Sequence, residues 1–235
     1  MTAHEDNIEL SVIVFAFDEA ENVGAVLEEL GDYLKQHEPR AEIVFVDDGS
    51  RDATSEVAEA ALSGTAHAIV RHSENRGIGA AIKSGVLRAR GDFVTFMPAD
   101  GQIEPEAIGE LRAQQRRSGA DLVLSLYADR DDGTTRKLLS FGMRAMVRVI
   151  HGVRLESDGP YLFRRSAFHA DALPPDSFFL NLEFPIRVLL SGARASQVTI
   201  RCRPRRAGHS KSAKARVVFQ VAKELLAFRL RRALE

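Results

Sequence analysis

"LSVIVFAF", residues 10–17, decides how the rest of the chain is read. A strand with one wet face alternates apolar and polar residues. This run does not alternate, so it predicts a strand buried on both faces, as in a parallel sheet between two helical layers. The next segment, "EAENVGAVLEELGDYLKQH" (19–37), supplies one cover: Val23, Val26, Leu27, Leu30 and Leu34 recur at helical spacing.

The same unit repeats outward from there. Strands are predicted at "AEIVFVDDGS" (41–50), "HAIVRH" (67–72), "GDFVTFMPAD" (91–100) and "ADLVLSL" (120–126). Helices fall between them at "DATSEVAEAAL" (52–62), "IGAAIKSGVLRAR" (78–90) and from Pro105 to about Arg117. Short connections between alternating strands and helices imply an α/β fold. It is a single doubly wound, mostly parallel sheet flanked by helices. Ligands of such sheets bind outside the carboxyl ends of the strands. Asp18, Glu19, Asp47, Asp48 and Asp100 all stand at predicted strand ends, hence on one edge.

Composition narrows the classes. The chain has 235 residues, 45% hydrophobic and 28% charged, which suits one large globular domain. Its one cysteine, Cys202, excludes an internal disulfide framework and a cysteine-built zinc site, and fits a reducing compartment. The polar, acidic start "MTAHEDNIEL" does not read as a signal peptide, and no apolar run reaches bilayer length. The expectation is a cytoplasmic protein. The net charge of -1 conceals an asymmetry, because residues 201–235 carry 11 Lys and Arg against 2 acids. A basic end on an acidic body points to an anionic partner. Nucleic acid is not that partner, since aromatics are not interleaved with the basic residues.

Four motifs, "VFAFDEAENV" (14–23), "IVFVDDGSRDAT" (43–54), "NRGIGAAIKSG" (75–85) and "PADGQIEP" (98–105), come in an order and spacing that resembles family 2 glycosyltransferases. The later "RRAGHSK" (205–211) resembles their polyprenyl-phosphate branch, the dolichol-phosphate mannosyl- and glucosyltransferases. The resemblance runs from about Leu10 to Lys211. It implies the glycosyltransferase A-type, Rossmann-like fold, with a catalytic domain over 1–212. A donor half would span about 8–126 and an acceptor half about 127–212. Residues 213–235 form a basic, amphipathic C-terminal helix.

By resemblance, Glu19 and Asp48 bind the nucleotide's base and ribose, with Asp47 in support and Ala16 and Asp18 shaping the base pocket. The glycines before Lys83 open a helix whose N–H groups favour phosphate. A divalent ion, Mg²⁺ or Mn²⁺, would stabilise the leaving diphosphate, and one or two carboxylates suffice for it. Asp100 and Gln102 are its ligands by resemblance, and Asp100 also serves the donor; Pro98 stands where the family has a first acid. Arg136 and Ser140, one helical turn apart, match the acceptor-phosphate residues, joined by Ser210. Arg205 and Lys211 would reach the donor diphosphate, Arg205 as a catalytic residue. Glu183, in "FLNLEFPIRVLLSG" (179–192), matches an acid that positions substrate or acts as base; as a residue at a helix start it equally suits backbone N–H groups.

The implied activity is inverting, metal-dependent transfer of a hexose from a UDP- or GDP-linked sugar to polyprenyl phosphate. The partners are then a nucleotide sugar, a polyprenyl phosphate lipid and an anionic membrane met through 213–235; a homo-oligomer stays open. In that helix Val217, Val218, Val221, Leu225, Phe228 and Leu230 line an apolar stripe among basic residues. The stripe suits a membrane interface on the cytosolic side, packing against the domain or packing against a second subunit. Two alternatives stand beside this reading: a family 2 transferase with a soluble or protein-borne hydroxyl acceptor, and a nucleotide-sugar-binding pseudoenzyme.

Overall fold

The computed structural model describes residues 7–128, 134–173, 179–203 and 215–232, and within these not the side chains of 134–141 and 215–220. Seven strands form one sheet in the order β3-β2-β1-β4-β6-β5-β7. They are β1 (Leu10–Ala16), β2 (Ala41–Asp47), β3 (His67–Arg71), β4 (Phe93–Pro98), β5 (Leu122–Tyr127), β6 (Leu162–Arg164) and β7 (Ala195–Ile200). Helices α1 (Ala20–His37), α2 (Thr54–Ala61), α3 (Ile78–Arg88), α4 (Pro105–Ser118), α5 (Thr134–His151), α6 (Leu180–Leu190) and α7 (Ala215–Arg232) cover it. The predicted mostly parallel sheet is thus present. The first nine elements fall within a few residues of their predicted bounds.

The central strands are buried on both sides, as the unbroken apolar run requires. Leu10, Val12 and Val14 of β1 point into one core with Leu27 and Leu30 of α1 and Ile108 and Leu111 of α4. Ile13 points into the other, with Ile82 of α3 and Val44 and Val46 of β2. That second core continues under Phe184 of α6 and Val221, Leu225 and Phe228 of α7. The helical layers are therefore α1, α2 and α4 on one face and α3, α5, α6 and α7 on the other.

Two strands have no counterpart in the sequence reading. β6 has only three residues and runs antiparallel to both β4 and β5. β7 pairs in parallel with β5 but lies at the sheet edge, and its "ASQVTI" is largely polar and half-exposed. Neither carries a run of buried apolar side chains long enough to announce a strand.

Candidate active site

Parallel pairing brings the strand-end acids together. Ala16 of β1 lies opposite Asp47 of β2, and Phe15 lies opposite Pro98 of β4. The residues just beyond these pairs, Asp18 and Glu19, Asp48, and Asp100, therefore share one edge of the sheet, with the buried Ala16 at its centre.

The chain's own donors meet most of these carboxylates. Asp47 Oδ1 accepts from the Ser50 N–H (2.9 Å) and Oδ2 from the Ser55 hydroxyl (2.5 Å), which closes the "DDGS" turn onto α2. Asp48 Oδ1 meets His72 Nδ1 at 2.7 Å and the Arg76 N–H at 3.0 Å, while Oδ2 accepts from the Gly77 N–H at 2.7 Å. An ionised carboxylate only accepts, so His72 carries its proton on Nδ1 when neutral, and Nε2 then accepts from the Ser84 hydroxyl at 2.9 Å. His72 is a site residue that sequence reading missed. Its only signal was its place at the end of the third strand motif.

Backbone geometry explains the turn residues. Gly49 has a φ of +75°, and a Cβ there would sit 2.3 Å from the carbonyl carbon of Glu74, so the "DDGS" turn and the 74–77 segment touch only because position 49 has no side chain. Asp18 is the described non-glycine residue with a left-handed backbone, at φ 52°. Its Oδ1 accepts from the Arg51 N–H (2.9 Å) and its own N–H donates to the Ser50 hydroxyl (3.0 Å), which holds that conformation. Glu19 donates its N–H to Thr54 Oγ1 at 2.9 Å and accepts from Asn22 Nδ2 at 2.7 Å. Asp18, Glu19 and the "DDGS" turn thus brace one another across two strand ends.

Asp100 is only 3% exposed, and its Oδ1 accepts from the Gln102 N–H at 3.0 Å. Beyond it, Ile103 bridges Cys202 in antiparallel fashion. Among the described residues no three His, Cys, Asp or Glu side chains come together as a preformed metal cage. The donors present are hard oxygens, a single carboxylate at Asp100 with Gln102 two residues on. That set fits Mg²⁺ or Mn²⁺ if substrate phosphates complete the shell, and does not fit a tightly held resident ion.

On the other side, Lys83 is half-buried on α3. Arg136 and Ser140 stand one turn apart on α5, with side chains outside the described ones; Arg205, Ser210 and Lys211 lie outside the described residues altogether. Arg144, two turns along α5 from Arg136, pairs with Asp158 at 2.5 Å. The Asp158 N–H in turn donates to the Ser125 carbonyl (2.9 Å) near the end of β5.

Glu183 is fully buried in the first turn of α6. Its Oε1 accepts from Arg187 Nε at 2.9 Å and its Oε2 from Arg231 of α7 at 3.0 Å. Burial pushes this carboxyl above the usual range, and the two guanidinium groups only partly offset it. Among the described hydrogen bonds the Glu183 carboxylate thus serves as the point where α7 is tied to α6. Half of the expected apolar stripe serves the same docking. Val221, Leu225 and Phe228 are buried against the domain, whereas Leu226 and Leu230 stay exposed. The Phe228 ring lies 4.8 Å from His151, 6.3 Å from Phe179 and 4.7 Å from the Arg187 guanidinium. Of the three uses open to that stripe, its described buried part takes domain packing.

A mostly parallel α/β sheet with acids clustered just beyond β1, β2 and β4 suits the glycosyltransferase A-type fold. The sequence pattern described as Glycosyl transferase family 2 matches residues 11–171, and the chain belongs to that family. It is 33% identical over 156 residues to the dodecaprenyl-phosphate galacturonate synthase of Rhizobium johnstonii, covering 65% of this chain and 46% of the relative. It is 30% identical over 176 residues to the dolichyl-phosphate beta-glucosyltransferase ALG5A of Trichomonas vaginalis, covering 68% and 54%. The chain therefore spans about half the length of these relatives. Glucosyl-3-phosphoglycerate synthase from Mycobacterium tuberculosis, solved with Mg²⁺ and UDP, superposes with a TM-score of 0.71 at 21% identity. That match covers 98% of this chain and 81% of that one. The same enzyme with Mn²⁺, UDP and glucosyl-3-phosphoglycerate gives 0.68 at 22%, again 98% and 81%. At such identity the likeness speaks for the fold.

Proposed function

We propose that this glycosyltransferase moves a hexose, with inversion, from a UDP- or GDP-linked sugar to polyprenyl phosphate at the cytosolic face of a membrane. The observation that carries the reading is the convergence of Glu19, Asp48 and Asp100 on one sheet edge, in a chain whose relatives are named as polyprenyl-phosphate sugar transferases. The first part of the chain, about 8–126, forms the donor half, and 127–212 the acceptor half.

The residues take the following parts in this reading. Glu19 accepts from the ribose hydroxyls. Asp48, which accepts from His72 and two N–H groups, holds the 72–77 segment and the start of α3 in place and offers the remaining lone pair of Oδ2 to the nucleotide. Asp100 and Gln102 would hold a divalent ion. When bound, that ion stabilises the charge on the leaving nucleoside diphosphate. Arg205 and Lys211 add positive charge to the same diphosphate, and Arg136, Ser140 and Ser210 hold the acceptor phosphate.

An acceptor phosphate oxygen attacks the anomeric carbon in line, forming the new C–O bond as the bond to the diphosphate oxygen breaks. The electron pair leaves on the diphosphate. A phosphate monoester attacks as an anion, so orientation and leaving-group electrostatics supply most of the rate, and no strong base is needed. Glu183 is then a positioning acid, its carboxylate spent on Arg187 and Arg231. The exposed Leu226 and Leu230, with Lys223 and Arg229 on the same helix, form the contact to anionic lipid. No described helix is long and apolar enough to cross a membrane.

Isothermal titration of UDP and GDP, each with and without Mn²⁺, tests the donor side. Metal-dependent binding of one nucleotide supports the reading. Binding of neither would sink it, and binding without turnover on supplied polyprenyl phosphate would favour the pseudoenzyme, which the proline at position 98 motivates.

A further inference from the structure

The loop that carries Asp100 is fastened to a residue far away in sequence. Gln102 is held at both ends of its peptide: its N–H donates to Asp100 Oδ1 (3.0 Å), and its carbonyl accepts from the Arg203 N–H (2.9 Å). The second of these bonds belongs to the antiparallel Ile103–Cys202 bridge. The Arg203 side chain then reaches two acids on two helices. Its Nε donates to Glu104 Oε1 at 2.5 Å, and its two terminal nitrogens grip Glu29 of α1 at 2.8 and 3.1 Å.

Glu104 is the N-cap residue of α4, and its side chain caps none of the helix's own N–H groups. The carboxylate turns to Arg203 instead. The clamp is only partly buried, with Arg203, Glu29 and Glu104 side chains 31%, 34% and 29% exposed, so its net contribution to global stability is small. A planar guanidinium that engages one carboxylate with two nitrogens and a second carboxylate with its third is a device for fixing orientation.

We propose that Arg203 is a positioning residue that registers the Asp100–Gln102 loop against α1 and α4. The proposal deepens the functional reading above and rests on it where nucleotide and metal are concerned. With Arg203 in place, the Asp100 carboxylate and the Gln102 peptide are set before any ligand arrives. Lysine at this position cannot meet both acids in the same geometry.

Two measurements on the full chain test this. The first needs no ligand: amide hydrogen exchange of a peptide covering 99–103 in Arg203→Met, Arg203→Lys and Glu29→Gln. Exchange of this loop should quicken about tenfold in Arg203→Met and less in Glu29→Gln, while peptides from β1 and β2 keep their protection. An unchanged loop, or a uniform rise that includes β1 and β2, overturns the proposal. The second is titration of nucleotide with Mn²⁺ into the same proteins. Arg203→Met and Arg203→Lys should both weaken metal-assisted binding about tenfold or more with little change in melting temperature. Full affinity in Arg203→Lys also overturns it. If the unaltered protein binds no nucleotide, the functional reading falls, and the exchange experiment alone decides the role of Arg203.

Discussion

Glu42 and Glu183 are both fully buried carboxylates, one in each part of the chain, and they are held in different ways. Glu42, on β2, accepts from the Ser11 hydroxyl on the adjacent strand (2.7 Å), from the Arg90 N–H (2.7 Å) and from Arg90 Nε (2.8 Å). Its donors come from the adjacent strand and from the turn after α3, one of them a backbone N–H. Among the described hydrogen bonds Glu183 accepts only from arginine side chains, one of them 48 residues away on α7. The buried atoms without a partner are divided in the same sense. Thr95 Oγ1 and Arg112 Nε are the buried side-chain atoms of 7–128 that find no partner within the described protein, against His151 Nδ1, Tyr161 Oη, Asn181 Oδ1 and Arg232 Nη1 in the shorter remainder. Glu42 finds its donors on the adjacent strand and the turn after α3, whereas Glu183 depends on long side chains, one of them on α7.

Breaking Glu183 should separate the two parts most sharply. Glu183→Ala removes the buried carboxylate that ties α7 to α6 and leaves two partly exposed guanidinium groups to water, so it should cost up to about 3 kcal/mol in chemical denaturation. Glu183→Gln tests the pH dependence. Because burial raises this carboxyl, the folded state binds the proton more readily than the unfolded chain, and the stability it contributes is present in acid and lost as pH rises through the folded value. The glutamine variant should lack that slope.

Asp100→Asn is the matching test in the first part, and its effect should fall on function instead. Metal-dependent turnover should drop by about 100-fold, equivalent to about 2.7 kcal/mol, with unfolding unchanged within error. Near-normal turnover would remove Asp100 from the metal site.

The pH response of α7 gives a smaller effect. Burial lowers His151, aided by Arg232 and Arg229, although its Nε2 contacts the Leu225 carbonyl at 3.2 Å. Its contribution is therefore present above the ordinary histidine range and lost as pH falls through the depressed folded value. In His151→Phe, which keeps the stack on Phe228, acidification from about pH 7.5 to about 5 should lower the melting temperature by about 2 °C less than in the parent. The smallest effect belongs to Asp121, held below the usual carboxylate range by Arg164. Asp121→Asn should cost at most about 1 kcal/mol at neutral pH, and that cost should vanish as pH falls through the folded carboxyl value.

The residue pattern alone specified the strands and helices up to β5, because runs such as "LSVIVFAF" and the helical spacing of Val23 to Leu34 are local signals. It also determined that Asp18, Glu19, Asp47, Asp48 and Asp100 share an edge, since parallel strands place all their carboxyl ends together. Three things only the tertiary structure decided. An apolar stripe on α7 reads the same whether it faces lipid or protein; the buried Phe228, stacked on His151, settles where that residue points. Glu183 and Arg231, like Arg203 with Glu29 and Glu104, are pairs separated by dozens to more than a hundred residues, and no local period reports them. The short β6 and the polar edge strand β7 form because neighbouring strands offer hydrogen-bonding partners, a cause that lies outside their own residues.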